Sequence, residues 1–181
     1  MILAHPAWSL NTLDMLKTLD GISALEIYNS VSTTPHNADR ALSASFSDIA
    51  STNGIIVPVV CADDTHFYEN DACYACIYVN ARENTREALL EAFDAGRFYG
   101  SCGPTIEQVT IEDGMITVNC SPASKVVFYS NRPWVGGRCV SGENLREATY
   151  SIGAADRFVR IEVEDAQGRR AFVSPIAVNN Q

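Results

Sequence analysis

The sequence predicts an α/β layer followed by an all-β unit. Up to Pro104, short apolar runs alternate with helical stretches, the signature of a parallel sheet with crossover helices. Beyond Pro104 no segment has helical spacing, and strand-like runs follow one another with turn residues between them. Gly103-Pro104 marks the corner. The expected domains are 1–104 and 105–181, the second a small antiparallel β-sandwich.

Each element has its own signal. Ile2–Ala4 reads as a strand remnant, and Leu10–Leu19 carries apolar residues at helical spacing. Ala24–Tyr28 is a strand. Asp39–Ser51 is a weak helix that Asn53-Gly54 can end. Ile55–Cys61 and Tyr74–Asn80 are further strands. Thr85–Ala95 is the best helix, with Asn84 as cap, Glu87 in its first turn and Gly96 just past its end. In the second unit, strands are expected at 106–112, 115–120, 125–130, 157–164 and 170–178. Glu112-Asp113-Gly114 and Asp165-Ala166-Gln167-Gly168 are hairpin signals.

Composition narrows the functional classes. The chain has 181 residues, 46% of them hydrophobic, enough to bury a real core. No apolar run reaches the roughly 18–20 residues of a membrane span, and MILAHPAWSL has no basic leader, so a cytoplasmic location is expected. Six scattered cysteines then read as reduced, mostly buried thiols. Cys73-Tyr-Ala-Cys76 is formally a CxxC, but it sits in a strand-like run with no second pair. Residues 1–104 hold 13 acids against 5 bases, and 105–181 hold 9 against 8. That balance excludes an extended nucleic-acid surface and suits carboxylates neutralised by metal cations.

The run VCADDTHFY, 60–68, ends a strand-like segment on Asp63, Asp64 and His66. If the chain stays extended there, Asp64 and His66 project to one side and can share a cation, with Asp63 turned to a supporting role. His5 ends the first apolar run in the same way. Parallel strands would bring these ends to a common carboxyl edge, where open sheets and barrels keep their chemistry. His5, Asp64 and His66 form a two-histidine, one-carboxylate set suited to zinc, manganese or iron with positions open for water. A polar loop with local side-chain to backbone bonds is the other reading of Asp-Thr-His.

The order AHPAW, ALEIYN, CADDTHFY and GRFYGSCGP resembles the later half of PHP-type (polymerase and histidinol phosphatase) metal-dependent hydrolases, in the carbaryl-hydrolase-like branch. VNCSPASKVVFYS and DAQGRRAFVSPI resemble that branch's trailing sandwich. The resemblance implies a partial, distorted (β/α)7 barrel, a divalent metal (Zn, Mn or Fe) and hydrolysis of a small phosphoester or other small molecule. It implies that His5, Asp64 and His66 are metal ligands. Glu26 matches a recurrent family position, and Glu26, Asp63 and Arg97 are candidates for a supporting or substrate-facing role. Tyr99, in the same connector as Arg97, is a further site-facing candidate with packing as its other reading, and His36 reads as a surface-loop residue. The family's H-x-H is absent, since His5, His36 and His66 are the only histidines. The expectation is therefore a hydrolase with an incomplete site, inactive or a fragment, whose missing half is supplied by another chain or by a homo-oligomer. The alternative is a non-catalytic binding or assembly module, with Phe128, Tyr129 and Trp134 as its aromatic surface.

Overall fold

A computed structural model describes residues 1–33 and 38–178. His36 lies outside the described residues. The first strands are β1 (Ile2–Leu3), β2 (Ala24–Asn29) and β3 (Val59–Ala62), which form a parallel sheet in the order β1-β2-β3. Between β1 and β2 runs α1 (Leu13–Lys17), capped by the Thr12 hydroxyl, which accepts from the Met15 N–H. Between β2 and β3 lies α2 (Ala44–Thr52), which ends at Asn53 with Gly54 in the left-handed region. Its buried face is made of small residues, Ala44, Ser47, Ala50 and Ser51, so it packs close to β2 and to the strands beyond.

The remaining strands overturn the expected fold class. A single antiparallel sheet of seven strands joins β4 (Cys76–Val79), β5 (Phe98–Ser101), β6 (Ile106–Glu112), β7 (Met115–Tyr129), β8 (Cys139–Ser151), β9 (Phe158–Glu164) and β10 (Arg170–Ala177). It curls into a half-barrel. The protein is neither a partial (β/α)7 barrel nor a barrel remnant with a sandwich behind it. Among the described residues only three strands run parallel, and β4, expected to extend them, pairs antiparallel with β5 instead. The sheet also runs across the expected boundary at 104, because β5 pairs with β10 through Ser101–Ala171 and Gly100–Phe172.

The curl originates in β7. It pairs with β8 from Met115 to Val127, with breaks in register, while its other edge holds β6 first and β9 afterwards. Register shifts between Asn119 and Lys125 mark the changeover, and such irregularities bend a strand and increase its twist. The 115–120 and 125–130 runs are therefore one bent strand. Asp113 and Gly114, both at positive φ, make the tight β6–β7 turn. The main core lies on the large sheet around Phe128, Val126, Ile161 and Val163, with Tyr150 stacked on Phe128. A second cluster joins the two sheets: Ile27, Val59 and Cys61 pack with Ala75 and Phe172.

The best helix is α4 (Arg86–Asp94), whose cap is Thr85, accepting from the Ala88 N–H, rather than Asn84. Phe93 on this helix stacks on Phe98 of β5.

Gly100 of β5 lies directly against Cys61 of β3, a point of close approach between the two sheets. A Cβ there would overlap Cys61 Sγ and lie 3.0 Å from the Cys61 backbone nitrogen. Gly100→Ala is expected to cost about 1–3 kcal/mol, the usual scale of overpacking. A urea-unfolding midpoint unchanged from wild type would show that the sheets can separate without penalty.

Candidate functional site

The carboxyl edge of the parallel sheet gathers polar groups around Glu26. This side chain is 5% exposed although it is a carboxylate. Its Oε2 accepts from the backbone N–H of His5, at the end of β1. Asn29, fully buried at the end of β2, donates through Nδ2 to both Glu26 oxygens at 3.3 and 3.4 Å and to Asp64 Oδ2 at 3.2 Å. The Ser32 N–H donates to Asn29 Oδ1 at 3.0 Å and so fixes which way the amide faces. Glu26 and Asp64 thus share one amide donor, and among the described residues no Lys or Arg pairs with either.

Burial raises the Glu26 pKa above the ordinary carboxylate value. The His5 N–H, the Asn29 amide and the nearby His5 charge oppose the rise, and Asp64 adds to it. A buried carboxylate with only neutral donors and a second acid beside it favours either a proton or a cation.

The predicted ligands divide. Asp64 joins Glu26. His5 stands beside it, but its ring is turned to Ser9, with Nδ1 2.8 Å from Ser9 Oγ, and packs edge-on to Trp8 at 5.0 Å. His66 lies on the exposed loop after β3, where its backbone N–H donates to Asp71 Oδ2 at 3.1 Å. Both departures have one cause. Residues two apart share a side only on extended backbone, but His5 (φ 28°) and Asp64 (φ 57°) are in the left-handed region. Each ends the alternation of its strand, so Asp64 and His66 are not presented side by side.

Asp63 holds a loop. Its Oδ1 accepts from the N–H groups of Tyr74 (3.0 Å) and Ala75 (2.6 Å) and from Ser30 Oγ (3.1 Å). Its Oδ2 accepts from the Cys73 N–H at 2.6 Å. That ties down the return of the chain past α3 (Tyr68–Asp71). Arg97 forms an ion pair with Glu91 of α4 at 3.0 Å. Tyr99 stacks on Tyr78 and accepts from the Ile106 N–H. Phe128 is fully buried, Tyr129 lies under Arg160, and Trp134 is exposed.

Sequence reading missed Asn29. Strict alternation puts residues 26 and 29 on opposite faces of a strand. A register shift between Glu26 and Tyr28, against consecutive Val60 and Cys61, inserts one residue into β2 and turns Asn29 to the Glu26 side.

Among the described residues no three His, Cys, Asp or Glu side chains are arranged to hold a metal ion. A zinc-type cage of three or four protein ligands does not fit this arrangement. Two neighbouring carboxylates do fit a hard, hydrated cation such as Mg²⁺ or Mn²⁺, which keeps several waters and takes one or two carboxylates plus substrate phosphate.

Comparison of the chain with protein-family models, with curated proteins and with solved structures found no match. Among the described residues no helix is long and apolar enough to cross a membrane.

Proposed function

We propose that the chain is a metal-dependent hydrolase of small phosphoesters, with Glu26 and Asp64 holding a hydrated divalent cation. The observation that carries this is the buried Glu26 carboxylate, next to a second acid and with no Lys or Arg ion-paired to it among the described residues. The order of motifs resembling PHP-type hydrolases supports the same chemistry; the barrel is not part of the proposal. The cation, when bound, would neutralise phosphoryl oxygens and make a bound water more acidic. Asn29 orients both carboxylates, and the His5 N–H fixes Glu26. The two positive-φ residues, His5 and Asp64, hold strained backbone at this edge, as functional sites commonly do. Two carboxylates make a weak site alone, and further donors contributed by another polypeptide would raise both affinity and rate.

The test is a thermal melt of metal-free protein with and without Mn²⁺, alongside turnover of bis(p-nitrophenyl) phosphate. Wild type is expected to melt higher with Mn²⁺ and to turn over slowly, and Asp64→Asn to lose both responses. No shift in melting and no turnover in wild type would refute the proposal.

A second reading, an assembly module, has its own observation. β1 is an edge strand, and the residues around it leave Ile2, Trp8, Leu10 and Met15 exposed. Unpaired edges and apolar surface favour association. Sedimentation showing a stable oligomer that Ile2→Lys dissociates would support this reading; a monomer at all concentrations would remove it.

A further inference from the structure

Two thiols meet at the seam between the sheets. Cys61 lies on β3 and is buried; Cys102 follows β5 and is partly exposed. Cys102 packs against the buried cluster that contains Cys61, Val59 and Phe172, which brings the two thiols into one apolar seam. Gly100 makes the approach possible, since any Cβ there would overlap Cys61 Sγ. Cys102 also lines a cavity of about 250 Å³ together with Tyr28, Arg170 and Phe172, so it can be reached by a small molecule. The four other cysteines are free, and three of them, Cys73, Cys76 and Cys139, are exposed. Exposure alone would make those three the first to oxidise.

We propose that Cys61 and Cys102 are a redox site that closes to a reversible disulfide on reaction with a small aliphatic disulfide of the glutathione class. The Cys102 thiolate attacks one sulfur of the reagent, forming a mixed disulfide and releasing one thiolate. Cys61 then gives up its proton, attacks Cys102 Sγ and expels the second thiolate. Overall, two protein thiols are oxidised to one disulfide, and the reagent is reduced to two small thiols, which take up the two protons. Cys102 reaches the cavity and Cys61 does not, so Cys102 makes the first attack and Cys61 is the resolving group; the neighbouring Cys102 thiol and burial also push the Cys61 thiol up. Closure would tie β3 to the end of β5. β3 leads directly into Asp63 and Asp64, so the bond would fix the strand that positions them.

The experiment treats the folded chain with oxidised glutathione, blocks the remaining thiols by alkylation, and maps peptides without reduction. The expected result is loss of two thiols per chain, one cross-linked peptide pair containing Cys61 and Cys102, and recovery of both thiols with dithiothreitol. Cys61→Ala is expected to stop at a stable glutathione adduct on Cys102. Cys102→Ser is expected to leave Cys61 as a free thiol. The proposal is overturned if Cys61 and Cys102 remain alkylatable while Cys73, Cys76 or Cys139 is oxidised. It is equally overturned if the 61–102 cross-link forms only in urea.

Discussion

Replacing Arg160 with methionine is expected to cost about 3–5 kcal/mol, the scale of breaking a buried ion pair from one side. Its guanidinium is fully buried. It donates to Asp48 Oδ1 and Oδ2 at 2.7 and 3.0 Å, and to Glu162 Oε1 at 2.6 Å. It also lies 4.5 Å from the centre of the Tyr129 ring. Burial disfavours the charge, but the two carboxylates more than compensate, and the net effect is to raise the Arg160 pKa further. Truncation would leave Glu162 buried with only the more distant Arg170, at 3.6 Å, and Asp48 with no guanidinium. Urea unfolding at neutral pH measures the loss. Arg160→Lys should fall between the two, since it keeps the charge but not the planar fork. A methionine variant within about 1 kcal/mol of wild type would mean that these pairs contribute nothing net.

Glu26→Gln is expected to act in the opposite direction on stability while abolishing the response to Mn²⁺. The folded protein raises the Glu26 pKa, mainly by burial. Between the unfolded and folded pKa values the folded state therefore binds more protons than the unfolded state. Stability falls as pH rises through that window, and the penalty is complete above the folded pKa. Glutamine removes the penalty and keeps an acceptor for the His5 N–H. The variant should gain on the order of 1 kcal/mol at neutral pH, the scale of replacing an unpaired buried charge with an amide. Its stability should be flatter than that of wild type as pH rises above the ordinary glutamate pKa of 4.5. A gain in stability coupled to loss of cation binding is the trade-off expected of a ligand residue. A variant that keeps the Mn²⁺ shift would remove Glu26 from the site.

The Asp156 carboxylate has the opposite sign. Burial would raise its pKa, but hydrogen bonds from the Tyr150 hydroxyl (2.7 Å), the Gly153 N–H (2.8 Å) and Ser130 Oγ (2.9 Å) lower it overall. The same contact pushes Tyr150, already raised by burial, up to about 12. Stability from Asp156 is present above its unfolded pKa and is lost as pH falls through the folded one.

What could be read from the sequence was local. α4, β6, β9, β10 and the turn at Asp113-Gly114 follow from periodicity, caps and turn chemistry. Glu26, Asp64 and the neighbourhood of His5 follow from polar residues ending apolar runs. What could not be read depended on partners distant in sequence. β4 is as apolar as a parallel core strand, yet its choice of β5 is made by chain 20 residues on. β8 was not anticipated because Glu143, Asn144, Arg146 and Glu147 face solvent, and only Ala148 and Tyr150 are buried. The displacement of His66 turned on one backbone angle at Asp64, and the arrival of Asn29 on one inserted residue in β2.

The place of β10 has a consequence for how the chain is made. It is the last strand described, yet it sits between β5 and β9. During synthesis the β4–α4–β5 unit leaves the ribosome some 70 residues before the strand that covers the free edge of β5. Asp48 waits longer still for Arg160. Such distant pairings make assembly slow compared with helical domains of this size. Until those partners are translated, the nascent first half exposes apolar surface and unpaired strand edges, which favour association.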